Sequence, residues 1–337
     1  MKQLVHLAVA GSVTALTLIY SLWGADLRSF GQTLIGGNLL VLPPYLMVLG
    51  VFFVSNAHRW GLVLRPFGRF TVQELLPSMM IGFAANNVLP LRLGELIRAD
   101  LLARDAGLSR SGVMMSLALE RLLDLIGILV VYAAALALVP TAPAGFRALA
   151  WFASIAIMGL GAVLAMFVLL PRRLDTPTRS LSSWVPSAIG RRCVIYLEQF
   201  RQGLCAVRNP ATAALLILYS IGRWLLAVVL AWLAIYAYAG VVPVPIVMLT
   251  IGVTAFAVAL PSAPGFVGPI QAAFVFALTP FGIDQEAALA ASVLFLLGHW
   301  IPVTAFGAIF FVGRHLTFRK LAACAEAAAD APTAPPA

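Results

Sequence analysis

Charged and amide side chains are scarce in this chain, and they gather in a few places. The stretch NNVLPLRLGELIRAD, residues 86–100, holds Asn86, Asn87, Arg92, Glu95, Arg98 and Asp100. Arg92 and Glu95 are three apart, as are Glu95 and Arg98, so on a helix each pair shares a face. An arginine there can grip a phosphate with two parallel hydrogen bonds, while Glu95 orients it or competes for it. The plainer reading of the same stretch is a solvated helix end at an interface. LALERLLDLIG, residues 117–127, sets Glu120, Arg121 and Asp124 inside an apolar run. Glu120 and Asp124 are four apart and share a face, and Arg121 and Asp124 are three apart and can pair. A charge at the centre of a membrane helix costs roughly 2.5 to 3.5 kcal/mol on insertion scales, which turns this face inward. A buried structural ion-pair network is the alternative to a binding role. Arg223, in YSIGRWLLAVV, needs an acidic partner, and Asp124 or Glu120 is the natural one.

A second kind of signal lies in ALPSAPGFVGPIQ, residues 259–271, where Pro261, Pro264 and Pro269 alternate with Gly265 and Gly268. Proline and glycine break helices, yet the surroundings are among the most apolar of the chain. Broken backbone at membrane depth is tolerated where it is buried in protein or lines a wet cavity. The helix restarting near Gly268 would offer N–H groups to an anion, and Gln271 could donate to a headgroup. His299, in LLGHWIP, could titrate near neutral pH, although a lone histidine is more often a hydrogen-bonded core residue.

The elements that position these residues follow from composition. Of 337 residues 62% are hydrophobic and 10% charged, against about 25% charged in a soluble domain, so the chain is an integral membrane protein. The net charge of +9 reflects arginine-rich cytoplasmic loops, not a nucleic-acid surface, because no basic run is interleaved with aromatics. Cys193, Cys205 and Cys324 have no paired spacing and suggest neither disulfides nor a metal site. No metal or cofactor is expected.

At about 20 apolar residues per crossing, full spans are predicted over 4–23, 38–56, 113–139, 149–170, 211–239 and 287–313. With a cytoplasmic N-terminus, only Arg28 and Arg147 fall outside; Arg59, Arg65 and Arg69 mark the inner side after the second span. That count requires 72–106 to enter and leave by the inner face and 244–282 by the outer one, as two re-entrant helical hairpins. Pro90 and Gly94 are spaced like Pro264 and Gly268, and Ser109 and Asp284 are both candidate N-caps for the next long helix. On that register Asp124 lies opposite His299. The pattern predicts an all-α polytopic protein with about six spans and two hairpins in an inverted repeat, an arrangement used by transporters. Residues 1–320 form a single transmembrane domain, 172–208 a basic cytoplasmic loop, and 321–337 a disordered Ala/Pro-rich tail.

At these residues the chain resembles the flippase-like transmembrane region of the lysylphosphatidylglycerol synthase family, over roughly 5–315. Asn87, Pro90, Arg92, Gly94, Glu95 and Arg98 are similar to one family signature; Glu120, Arg121 and Asp124 to a second; PSAPGFVGPIQ to a third. Phe266 stands where that pattern has Gly, and Gln271 where it has Glu. The neutral Gln271 removes an acid that could hold a cationic headgroup, which speaks against a lysylated lipid. The resemblance implies a flippase of phosphate-bearing lipids in a bacterial inner membrane, both termini cytoplasmic, with no aminoacyl-transferase domain. Asn87, Arg92, Glu95, Arg98, Glu120, Arg121, Asp124, Arg223, Pro264, Gly265, Gly268, Gln271 and His299 are then the expected substrate contacts. Membrane lipids are the expected partners, beside a homo-oligomer or a lipid-modifying enzyme. A membrane-embedded transferase and a non-transporting subunit are the alternatives, though no nucleophile–base pair or metal spacing favours the first.

Overall fold

The structure is a computed structural model that describes residues 2–89, 93–151, 154, 155, 159 and 209–314. Every regular element among them is helical. In chain order they are α1 (Lys2–Leu22), α2 (Leu27–Ile35), α3 (Leu42–Val63), α4 (Val72–Val88), α5 (Leu93–Ala106), α6 (Arg110–Leu138), α7 (Pro210–Ala239), α8 (Val244–Ala257), α9 (Pro269–Leu278) and α10 (Gln285–Gly313). Residues 144–151 are also helical.

Local chemistry fixes many of the boundaries. Ser109 caps α6 as expected, its hydroxyl accepting from the Gly112 N–H at 3.2 Å. Asp284 occupies the N-cap of α10 but makes no side-chain capping bond. Thr71 and Glu74 close a capping box on α4: the Thr71 N–H donates to Glu74 at 2.7 Å, and the Glu74 N–H to the Thr71 hydroxyl at 3.4 Å. That Thr71 N–H bond holds the exposed Glu74 carboxyl below the ordinary glutamate range.

Five segments are long and apolar enough to cross a membrane: Leu39–Val63, Arg110–Leu138, Pro210–Ala239, Pro264–Phe281 and Gln285–Gly313. Four correspond to predicted spans. The predicted span 4–23 falls on α1, Lys2–Leu22. The predicted span 149–170, the basic loop 172–208, Arg92 and the tail lie wholly or largely outside the described residues. The fifth candidate, Pro264–Phe281, falls within the region expected as the second hairpin. It is not one rod: a 3-10 turn at Pro264–Phe266 precedes α9, with φ of 78° at Gly265 and 95° at Gly268.

Two pairs of shorter helices stand out against the long ones. α4 packs along α5, and α8 along α9. At 1.5 Å per residue, the 14 residues of α5 reach about 21 Å and the 10 of α9 about 15 Å, short of a ~30 Å hydrocarbon core. The first pair is closed by Gly82 and Gly94, where a Cβ on Gly94 would run into the Gly82 carbonyl oxygen. α10 touches α4, α7 and α9, while α7 packs on α3 and α6. The turn Pro264–Phe266 reaches the end of α4, so the tips of the two pairs meet.

Candidate functional site

The charges predicted to face inward do so, around a residue assigned elsewhere from sequence. Arg59 was expected in a loop after a span ending at 56. Instead α3 continues to Val63 and Arg59 is fully buried, with 0% exposure. Its Nη1 donates to Asp124 Oδ1 at 2.5 Å and to Ser220 Oγ at 2.9 Å, and its Nη2 to Glu120 Oε1 at 2.9 Å. The other Glu120 oxygen accepts from Arg98 Nη2 at 3.1 Å. The Arg98 guanidinium lies 3.7 Å from the centre of the Trp60 ring, and the Trp60 indole N–H donates to Ser116 at 3.1 Å. Glu120 therefore joins α3, α5 and α6 through two arginines. Breaking such a buried set by removing one partner leaves a charge without compensation, at a cost of about 3–5 kcal/mol.

The network continues towards open space. Arg121 Nη2 lies 3.2 Å from Glu95 Oε1, and its Nη1 3.7 Å from Asp124 Oδ2. Arg223, on α7, is 3.4 Å from Asp124 Oδ1, the expected partner. Its guanidinium sits 4.6 Å from the Trp224 ring and 5.3 Å from the Phe52 ring. The Trp224 indole N–H donates to the Asp124 carbonyl oxygen at 2.8 Å. Glu95 and Arg98, expected to act from one helix face, divide between different partners on α6.

Glu95, Arg121, Asp124 and Arg223 line one end of a cavity of about 450 Å³, together with Asn86, Asn87 and His299. Most of the rest of its wall is apolar, with Leu125, Ile128, Leu230, Ile251, Phe256 and Phe295 among the contributors. The chamber falls in the size range of small-molecule sites, roughly 300–1,000 Å³. Its charged and amide groups come from the first helix pair, α6, α7 and α10; the second pair contributes Gly265, Phe266 and Ile270.

The remaining predicted residues sit as follows. Asn87 lines the cavity and also donates to Thr304 Oγ1 at 2.9 Å, tying α4 to α10. His299 lines the cavity with its ring against Phe52 and Phe53. Gly265 packs on Trp300, where a Cβ would come within 3.1 Å of the indole nitrogen. Pro264 opens the turn and is exposed. Gly268 and Gln271 are off the cavity wall. Gly268 backs onto α1, with the Thr14 carbonyl oxygen 2.9 Å from where a Cβ would be. The Gly268 N–H donates to Gln271 Oε1 at 2.7 Å, so that oxygen closes the helix start and the buried Gln271 acts within the fold. Arg92 is not among the described residues. Arg98 and Glu120 stand behind the wall and support it.

Sequence reasoning missed Arg59, Trp60, Ser220 and the part played by Asn86, which accepts from the Gly94 N–H at 2.8 Å. A signal for Arg59 was present: the apolar residues Gly61, Leu62 and Val63 carry the helix past it. Among the described residues no group of three His, Cys, Asp or Glu side chains could hold a metal.

Apolar helices long enough to cross a bilayer, with a charged network turned inward onto a half-polar cavity, define a multi-pass α-helical membrane protein. The family model described as lysylphosphatidylglycerol synthase TM region matches residues 3–307, and the chain belongs to that family. No curated protein matches the chain.

Proposed function

We propose that this protein is a lipid translocase, carrying a lipid with a phosphate-containing headgroup between the leaflets of a bacterial cytoplasmic membrane. The observation that carries the reading is the two-part cavity. Arg121 and Arg223 stand at its polar end and an apolar wall makes up the rest, a lining matched to a headgroup with hydrocarbon attached. Family membership supports it, since the family is that of a lipid-synthase transmembrane region.

In this reading residues 1–320 act as one transmembrane domain with both termini cytoplasmic. The pairs α4–α5 and α8–α9 are re-entrant hairpins of an inverted repeat, their tips meeting at the cavity. Their short helices and the break at Gly265 support this. Arg121, Arg223 and Arg92 neutralise the phosphate. Glu95 and Asp124 hold the arginines in place when no lipid is bound. Alternating rotation of the hairpin pairs would open the chamber to one face and then the other.

The test is reconstitution into liposomes with fluorescent lipids of several headgroups. Translocation exposes inner-leaflet label to dithionite. Wild-type protein is expected to speed that exposure for at least one lipid class, and folded Arg121→Gln protein to slow it about tenfold or more, as loss of a charge-assisted contact would. Wild type that matches empty liposomes across the panel, with and without a proton gradient, would overturn the reading.

A further inference from the structure

The charges at the cavity do not balance, and the imbalance has a sign. Among the described residues the network contains four guanidinium groups, Arg59, Arg98, Arg121 and Arg223, and three carboxylates, Glu95, Glu120 and Asp124. One positive charge is left over. Arg59 is held by Glu120 and Asp124 and closed inside the protein. Arg98 shares Glu120 and is covered by the Trp60 ring, away from the cavity wall. Arg121 divides between Glu95 and Asp124. Arg223 has Asp124 alone, at 3.4 Å, through the oxygen that Arg59 already holds at 2.5 Å. Its Nη1 is buried and makes no hydrogen bond. Arg223 lines the cavity, so the excess charge faces the ligand space.

Among the described residues the remaining ionisable group on the wall pushes the same way. His299 lines the same wall and can only add positive charge. Among the described residues Glu95 and Asp124 are the acidic groups on the wall. Beside a largely apolar wall an uncompensated charge is costly, and a ligand of opposite net charge reduces that cost.

We infer that the cavity selects lipids whose headgroup carries one net negative charge, a phosphodiester with no compensating amine, and that Arg223 is the specificity-determining residue. The inference rests on the translocase reading only for the headgroup's attachment to a lipid. A monoanionic headgroup brings the polar end to neutrality. A zwitterionic headgroup leaves one positive charge, and an aminoacylated, net cationic one leaves two. The apolar wall favours the lipid-borne diester over free phosphate.

The test is equilibrium binding by native mass spectrometry of the full chain in neutral detergent. The probes are phosphatidylglycerol, phosphatidylethanolamine and lysyl-phosphatidylglycerol with identical acyl chains, with inorganic phosphate as a separate arm. Phosphatidylglycerol is expected to bind about tenfold tighter than the zwitterion, with the cation weakest, the scale of one partly screened charge. Arg223→Gln removes the excess and should bring the three lipids within about threefold of one another. Glu95→Gln adds to the excess and should widen the preference, an opposite shift that general misfolding would not produce. Equal binding of the three lipids, an unchanged ranking in Arg223→Gln, or phosphate binding as tight as the lipid would overturn the inference. The same lipids are then followed in liposomes. Ranked binding without movement sinks the translocase reading and leaves this one standing; movement and binding without ranking do the reverse.

Discussion

The two short-helix pairs divide the work of building the cavity, and they do so with different chemistry. The first, α4–α5, carries charge into the interior: Arg98 and Asp100 are each 1% exposed, and Glu95 reaches the cavity. The second, between Val244 and Gly282, contains no charged residue. It contributes backbone shape instead. Gly265 and Gly268 take left-handed conformations, and Phe266 joins them at φ 59°, the one non-glycine to do so among the described residues. Left-handed geometry costs a residue with a side chain roughly 1–2 kcal/mol, so the surrounding packing must hold the Phe266 turn in place. One pair thus decides what charge the cavity presents, and the other decides how close the wall comes. Charge substitutions should therefore hurt most on the first side, and backbone substitutions should hurt on both for different reasons.

The largest effect belongs to Glu120. Glu120→Gln leaves Arg59 and Arg98 sharing too little negative charge in a buried place, and stability should fall by about 3–5 kcal/mol. Thermal unfolding in detergent would measure this; a shift no larger than that of a surface variant would show that the network is wet and its charges independently solvated. Gly94→Ala comes next. Its methyl would collide with the Gly82 carbonyl oxygen, which is backbone, and with the Asn86 side-chain amide, so the helices must part. A loss near the upper end of the usual overpacking range, about 3 kcal/mol, is expected. Gly268→Ala tests the second pair. It would force a left-handed conformation on alanine at φ 95° and press on the Thr14 carbonyl oxygen. About 1–2 kcal/mol should be lost, with α1 loosened as read by protease accessibility. If Gly94→Ala proves harmless and Gly268→Ala severe, the first pair is the plastic one and the division of labour reverses.

Much of this division was legible in the residues, and the failures have a physical cause. The pairing of Arg121 and Arg223 with Asp124 follows from helical spacing and from the cost of a lone charge in an apolar run. The broken backbone near Gly265 follows from Pro and Gly alone. Arg59 was hidden because a hydropathy window treats an arginine near the end of an apolar stretch as an interfacial residue, whether or not the helix continues. Arg98 was given a neighbour on its own helix, while its partner is Glu120 on α6; only tertiary packing chooses between them. The capping role of Gln271, whose side-chain oxygen accepts from the Gly268 N–H, was likewise not legible, because it depends on the backbone turn that brings the two together.

A smaller effect is expected at the mouth of the first pair. Thr71→Ala removes the hydroxyl that caps α4, worth about 1 kcal/mol in similar caps. Glu74, bound by the Thr71 N–H, titrates below the ordinary glutamate range. Its contribution is therefore present at and above that range and lost as pH falls through its lowered value. An acid titration of stability should show that step in wild type and lose it in Glu74→Gln.

The smallest effect is predicted where an ion pair looks most conspicuous. Asp105 at the end of α5 pairs with Arg314 after α10, so this contact ties the first helix pair to the helix packed against the second. Asp105 is exposed, at 46%, and Arg314 is partly so, at 28%. Water and salt compete for each of them, and ordering two long side chains offsets what Coulomb attraction remains. Exposed pairs are worth about 0–1 kcal/mol, so Asp105→Asn should shift the unfolding midpoint less than any substitution above, and less still at high salt. The pair resembles Glu120 with Arg98 in its charges but not in environment. Should Asp105→Asn cost as much as Glu120→Gln, the tie between the two helix pairs would rest on their outer ends, and the buried network would serve the cavity without holding the fold.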